Sequence, residues 1–78
     1  MHVKIVTGIL CGYCDAAKGL LKQHNQDYEE VDVMEASAIM AEYNLKTVPQ
    51  IFIDDRHIGG CDELHALERA GELDALLS

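Results

Sequence analysis

The sequence predicts an α/β domain, one small sheet covered by helices. Short β-branched and apolar runs recur at residues 3–7, 28–33 and 50–54. Segments with apolar residues at helical spacing follow them. The elements therefore alternate along the chain, and the first strand–helix–strand unit should be parallel with a right-handed crossover.

Val3 to Thr7 reads as a short buried strand. Ala16, Ala17, Leu20, Leu21 and His24 then mark a helix from about Gly12 to Asn25. Gly19 inside it costs roughly 1 kcal/mol relative to alanine, which a close packing approach would explain. Tyr28 to Val33 is the second strand, with Val31 and Val33 on one face and Glu30 and Asp32 on the other. Ala36, Ile39, Met40 and Tyr43 set a second helix at i, i+3, i+4, i+7. Met34 and Met40 are read as core filler rather than metal ligands.

Gln50 to Asp54 is apolar on both faces, as a central strand is. Asp54-Asp55-Arg56 is a tight turn into His57-Ile58-Gly59, so the last two strands form a hairpin. Gly60 permits an unusual backbone angle before a last helix. Asp62 and Glu63 suit the first turn of that helix, where its dipole favours negative charge. Leu64 and Leu67 face inward, Gly71 is its C-terminal cap, and Leu73, Leu76 and Leu77 pack back as a final amphipathic turn.

The 78 residues make one domain, residues 1–78, with no repeat or linker. Six basic and fourteen acidic residues give a formal charge of −8. That disfavours sequence-blind phosphate binding, so nucleic acid is not an expected partner. No segment approaches the roughly 20 apolar residues that span a bilayer, so no membrane association is expected. The N-terminal apolar run is too short for a secretory signal. Three cysteines make a poor disulfide framework, and a reducing cytoplasmic compartment is the expectation.

Two of those cysteines, Cys11 and Cys14, sit in the stretch LCGYCD. Cys11 falls where the first strand ends and the first helix begins. Unpaired backbone N–H groups and the positive end of the helix dipole stabilise an anion there. Thiol pKa values at such positions fall from about 8.5 to between about 3.5 and 7.5. Cys14, one turn further in, should be less exposed and less ionised. The spacing thus makes Cys11 a nucleophile and Cys14 a resolving thiol.

Magnitudes identify the step that benefits. A fall in pKa from about 8.5 to about 5 raises the thiolate fraction at pH 7 roughly 30-fold. A Brønsted slope of about 0.4–0.5 lowers intrinsic nucleophilicity by a similar factor. Attack gains almost nothing net, but departure of Cys11 from a mixed disulfide is faster. A zinc site is the competing reading, because Cys11, Cys14, Cys61 and His65 have ligand-like spacing. Against it, each pair lies in the first turn of a helix and a complete fold pattern separates them.

CGYC after a strand, TVPQIFI at 47–53 and HIGGCDEL at 57–64 together resemble the dithiol glutaredoxins. The resemblance covers nearly the whole chain. It implies a thioredoxin fold, a four-stranded mixed sheet flanked by helices, with a cis bond before Pro49. It implies a glutathione-dependent thiol–disulfide oxidoreductase with Cys11 and Cys14 catalytic. Glutathione would be flanked by Tyr13, with its cysteinyl part against Thr47, Val48 and Pro49. Its γ-glutamyl end would lie at Gly60, Cys61 and Asp62, where a helix start meets the carboxylate and Asp62 the amine. The implied partners are glutathione and glutathionylated or disulfide-containing proteins, ribonucleotide reductase among them. The chain would work as a monomer without an obligatory metal.

Three positions depart from the family pattern. Gly12 stands where most relatives carry proline, Gly8 where many carry lysine, and Val6 where an aromatic is usual. Lys46 is a candidate to replace the missing lysine. The stretch from Val33 to Asn44 is also shorter than is common. Lack of the proline points to a second use, a dimer sharing a [2Fe–2S] cluster through Cys11 and two glutathiones. A further reading is a glutaredoxin-like hydrogen donor reduced by thioredoxin reductase, against which the GGCDEL block argues.

Overall fold

The structure is a computed structural model that describes residues 2–77. Its elements are β1 (Val3–Thr7), α1 (Gly12–Gln23), β2 (Glu29–Asp32), α2 (Ser37–Glu42), β3 (Gln50–Ile53), β4 (Arg56–Gly59), α3 (Cys61–Arg69) and α4 (Leu73–Leu77). The sheet order is β2-β1-β3-β4. β1 and β2 are parallel, with Val6 opposite Val31; β1–β3 and β3–β4 are antiparallel, with Ile5 opposite Ile51. This is the expected four-stranded mixed sheet.

Alternation along β1 and β3 builds a core on each face of the sheet. On one face Val3, Ile5, Ile51 and Ile53 pack with Ala17, Leu20 and Leu21 of α1, Leu64 of α3 and Leu73 of α4. On the other, Val6 and Phe52 pack with Ala36 and with Met40 of α2. Leu76 and Leu77 lean on the first core, so the C-terminal turn packs back as expected. Two polar clusters tie the helices down. Glu30 accepts from the Thr7 hydroxyl and from Lys18 of α1. Those two hydrogen bonds, led by the hydroxyl, hold the Glu30 carboxyl below its ordinary pKa. His24, the C-cap of α1, reaches Glu68 of α3 and Asp74 of α4 with its two ring nitrogens.

Several details differ from the sequence reading. Met34 is 83% exposed and not core. It sits in the turn after β2, where its N–H donates to the Asp32 carboxylate, a local bond that helical and strand periodicity cannot anticipate. Gly19 has open space where a Cβ would stand, so no close approach explains it. The unusual angle lies at Gly59 (φ 128°), not Gly60 (φ −97°). A register shift between Ile51 and Phe52 sets Gly59 opposite Ile51 and His57 opposite Phe52, leaving Ile58 as the extra residue of a bulge. A Cβ on Gly59 would also meet the Glu63 side chain at 2.6 Å. Asp54 and Asp55 both take positive φ, as a two-residue hairpin turn requires. No helix among the described residues is long and apolar enough to cross a membrane.

Candidate active site

The site forms at one end of the sheet, where the β1–α1 loop, the α2–β3 loop and the start of α3 meet. Cys11 is the N-cap residue of α1, with extended backbone (φ −108°, ψ 101°). The Cys14 N–H donates to its sulfur at 3.1 Å. That is the geometry in which a helix start stabilises a thiolate. Cys11 is half-buried, whereas Cys14 is only 2% exposed. The two thiols are therefore unequal in access, as their spacing requires. They are joined as a disulfide, with Cα atoms 5.2 Å apart. Leu10, just before, is fully exposed with φ 53°, and Ile9 and Tyr13 are exposed beside it.

The α2–β3 loop supplies the facing wall. The Val48–Pro49 peptide bond is cis. The Cys11 sulfur lies 3.7 Å from the Val48 carbonyl oxygen. Gly8 of the β1–α1 loop comes close to this wall, since a Cβ there would stand 3.1 Å from Val48 Cγ2. The missing lysine at position 8 thus has a steric correlate: any side chain would press on Val48. Lys46 is exposed and stands next to Thr47 of the groove wall.

The third wall is the N-terminus of α3. A Cβ on Gly60 would stand 3.1 Å from the Pro49 carbonyl oxygen, so glycine lets the two loops meet. Glu63 turns back to accept from the Gly60 N–H at 2.6 Å. This is half of a capping box, the other half being impossible for glycine. Cys61 is buried and its thiol is pushed up, first by burial and then by Asp62 and Glu63. Its sulfur lies 3.3 Å from His65 Nδ1.

Between these walls runs a groove of about 390 Å³, lined by Tyr13, Thr47, Val48, Pro49, Gly60, Cys61, Asp62 and Glu63. All seven residues picked from the sequence as ligand contacts share it. Glu63 was not foreseen. Its signal was its place three residues after Gly60, muted because glycine is not a typical capping-box N-cap. The zinc reading finds no support in the geometry. Among the described residues no three His, Cys, Asp or Glu side chains converge as a metal site. Cys11 pairs with Cys14, and Cys61 with His65.

An accessible sulfur at a helix start, a buried sulfur within disulfide reach and a groove beside them suit dithiol exchange chemistry. Known proteins agree. The glutaredoxin family model matches residues 3–58. A glutaredoxin of Pseudomonas aeruginosa is 50% identical over 80 residues, covering 97% of this chain and 95% of that one. The solution structure of a glutaredoxin from Brucella melitensis superposes with a TM-score of 0.84 at 40% identity, covering 99% of this chain and 88% of the other. A buckwheat glutaredoxin–glutathione complex superposes at 0.86 with 29% identity, covering 96% and 74%. With its Cys11–Cys14 pair in a thioredoxin fold, the chain belongs to the glutaredoxin family of thiol–disulfide oxidoreductases.

Proposed function

We propose that this oxidoreductase uses glutathione as its reductant and acts on glutathione mixed disulfides and protein disulfides through Cys11. The observation that carries this reading is the groove: the seven residues assigned to glutathione line one cavity, whose Val48 wall lies against the Cys11 sulfur. The Cys11 thiolate attacks the glutathionyl sulfur of a mixed disulfide, and the target protein departs as a thiolate that takes a proton. Cys11 now carries glutathione. A second glutathione thiolate attacks that glutathionyl sulfur, releasing oxidised glutathione and the Cys11 thiolate. For a protein disulfide, the Cys11 thiolate attacks one sulfur and the other leaves as a thiolate that takes a proton; Cys14 then attacks Cys11, frees the reduced target and closes the Cys11–Cys14 disulfide. Two glutathiones then reopen it in sequence.

Each wall has a role in this scheme. The Cys14 N–H and the start of α1 stabilise the departing Cys11 thiolate. Val48, beside a cis peptide bond, offers its backbone to the cysteinyl part of glutathione, a one-residue form of strand addition. The N-terminus of α3 faces the γ-glutamyl carboxylate, and Asp62 its amine. Tyr13 closes one side. The working form is a single-domain monomer in a reducing cytoplasm, where the dithiol is kept available.

A second reading is a dimer sharing a [2Fe–2S] cluster through Cys11 and glutathione. One observation favours it: Gly12 has open space around its Cβ position and leaves the start of α1 without the rigidity of proline. Turnover coupled to glutathione reductase, with a visible spectrum of the same anaerobic sample, tests both. Turnover with a colourless protein supports the first reading. Absence of turnover with glutathione, but turnover with thioredoxin reductase, overturns the choice of reductant. A brown, glutathione-dependent dimer supports the second reading.

A further inference from the structure

Behind the groove lies a hydrogen-bond relay that includes none of the catalytic or α3 residues. Gln50 opens β3 directly after Pro49 and is 6% exposed. Its amide nitrogen donates to the Thr47 carbonyl oxygen at 3.0 Å and to Thr47 Oγ1 at 3.2 Å. A carbonyl oxygen only accepts, so the NH2 end of the amide must face Thr47. That turns the Gln50 carbonyl oxygen toward β4, where His57 Nε2 stands at 2.7 Å. This oxygen also only accepts, so His57 must carry a proton on Nε2. The imidazole is braced by rings, 5.1 Å from Phe52 and 5.6 Å from Tyr43 between centroids.

The relay has a consequence for Thr47. Its hydroxyl oxygen already accepts from Gln50, which leaves its own proton to be donated elsewhere. Thr47 is exposed and lines the groove. Gln50 spans the turn around the cis bond and ties both the backbone and the side chain of Thr47 to the sheet.

We infer that Gln50 and His57 are positioning residues that hold the Thr47–Val48 segment and set the Thr47 hydroxyl to donate to a carboxylate or carbonyl oxygen of the peptide thiol in the groove. The identity of that thiol rests on the glutathione reading above; the relay itself does not. Neither residue touches the reacting sulfurs. Their effect is on affinity for the thiol that enters the groove, not on the chemistry at Cys11.

Steady-state kinetics with a glutathione mixed disulfide as the varied substrate, at fixed glutathione, test this. Thr47→Val, which removes the hydroxyl and keeps the shape, should raise KM for that mixed disulfide roughly tenfold, the scale of one well-placed hydrogen bond. The kcat should change less than twofold. Thr47→Ser should restore KM. Gln50→Leu should raise KM similarly, and adding Thr47→Val to it should cost little more, because the two act through one contact. His57→Phe keeps the ring stack and should raise KM about threefold. A wild-type KM in Thr47→Val, or multiplying effects of Gln50→Leu and Thr47→Val, overturns the inference. So does a folded Gln50→Leu protein whose kcat falls while its KM stays at the wild-type value. The Thr47 pair carries the test if Gln50→Leu does not fold. If the wild type does not turn over glutathione, the reductant reading fails by itself. The relay is then decided by the nitrogen-15 spectrum of His57: an Nε2–H tautomer that is lost in Gln50→Leu supports it, and an Nδ1–H tautomer in the wild type overturns it.

Discussion

Replacing Gly12 by proline should stabilise the reduced protein. Gly12 is the first helical residue of α1, the position where proline is favoured in helices. Its N–H has no partner within the helix, so none is lost. No atom lies within 4 Å of its Cβ position, so the ring has room. The preceding residue must avoid the helical region, and Cys11 already does, at φ −108° and ψ 101°. What remains is a gain through the unfolded chain, which loses the freedom of a glycine. Such substitutions contribute about 0.4–1 kcal/mol. For a domain of this size 1 kcal/mol corresponds to about 4–8 °C in Tm, so a rise of several degrees is expected. Thermal unfolding followed by far-ultraviolet circular dichroism, with both proteins held reduced, provides the measurement. A Tm equal to or below that of wild type would refute the reasoning. It would mean that the freedom or the N–H of Gly12 is used in the folded dithiol state. The same variant should lose any cluster-derived visible absorbance that the wild type shows.

Other perturbations address other parts of the molecule. The His24 imidazole is held above its ordinary pKa, chiefly by its hydrogen bond to Glu68, with Asp74 adding and burial opposing. The stability it contributes is full below about pH 6.5, the value of a free imidazole, and is lost as pH rises through the elevated folded value. Urea midpoints of wild type and His24→Asn, compared across that window, should converge at the alkaline end; a constant difference would refute the linkage. Leu73 is fully buried and anchors α4, so Leu73→Ala should cost about 2–5 kcal/mol, and a denaturation midpoint near that of wild type would contradict its core role. Burial and acidic neighbours keep the Cys61 thiol protonated. Iodoacetamide at neutral pH should therefore label Cys11 and spare Cys61 in the native reduced protein, as read by mass spectrometry of its peptides; comparable labelling of Cys61 would contradict this.

How far the sequence speaks depends on the range of the interaction. β1 and β3 were legible because Val3, Ile5, Ile51 and Ile53 must meet one core and Val6 and Phe52 the other. The inequality of Cys11 and Cys14 was legible because one helical turn separates an N-cap from a buried position. Both are local facts. The gathering of Thr47, Gly60 and Asp62 into one groove came only through the family resemblance, since nothing local brings α3 to the α2–β3 loop. Gly59 and Gly60 were confused because their difference comes from a bulge opposite Ile51. Met34 was misplaced because a bond to Asp32 turned it to solvent. The Gln50–His57 relay was hidden for the same reason: QIFI reads as strand, and the direction of a buried amide is decided by partners on two other segments.

The roles given to the two cysteines are tested most directly by deglutathionylation of a glutathionylated protein substrate, measured with glutathione and glutathione reductase. Cys14→Ser should retain this activity, because glutathione can release Cys11 without Cys14. Cys11→Ser should lose it entirely. Activity in Cys11→Ser, or its loss in a folded Cys14→Ser protein, would contradict the assignment of Cys11 as the nucleophile beside the groove.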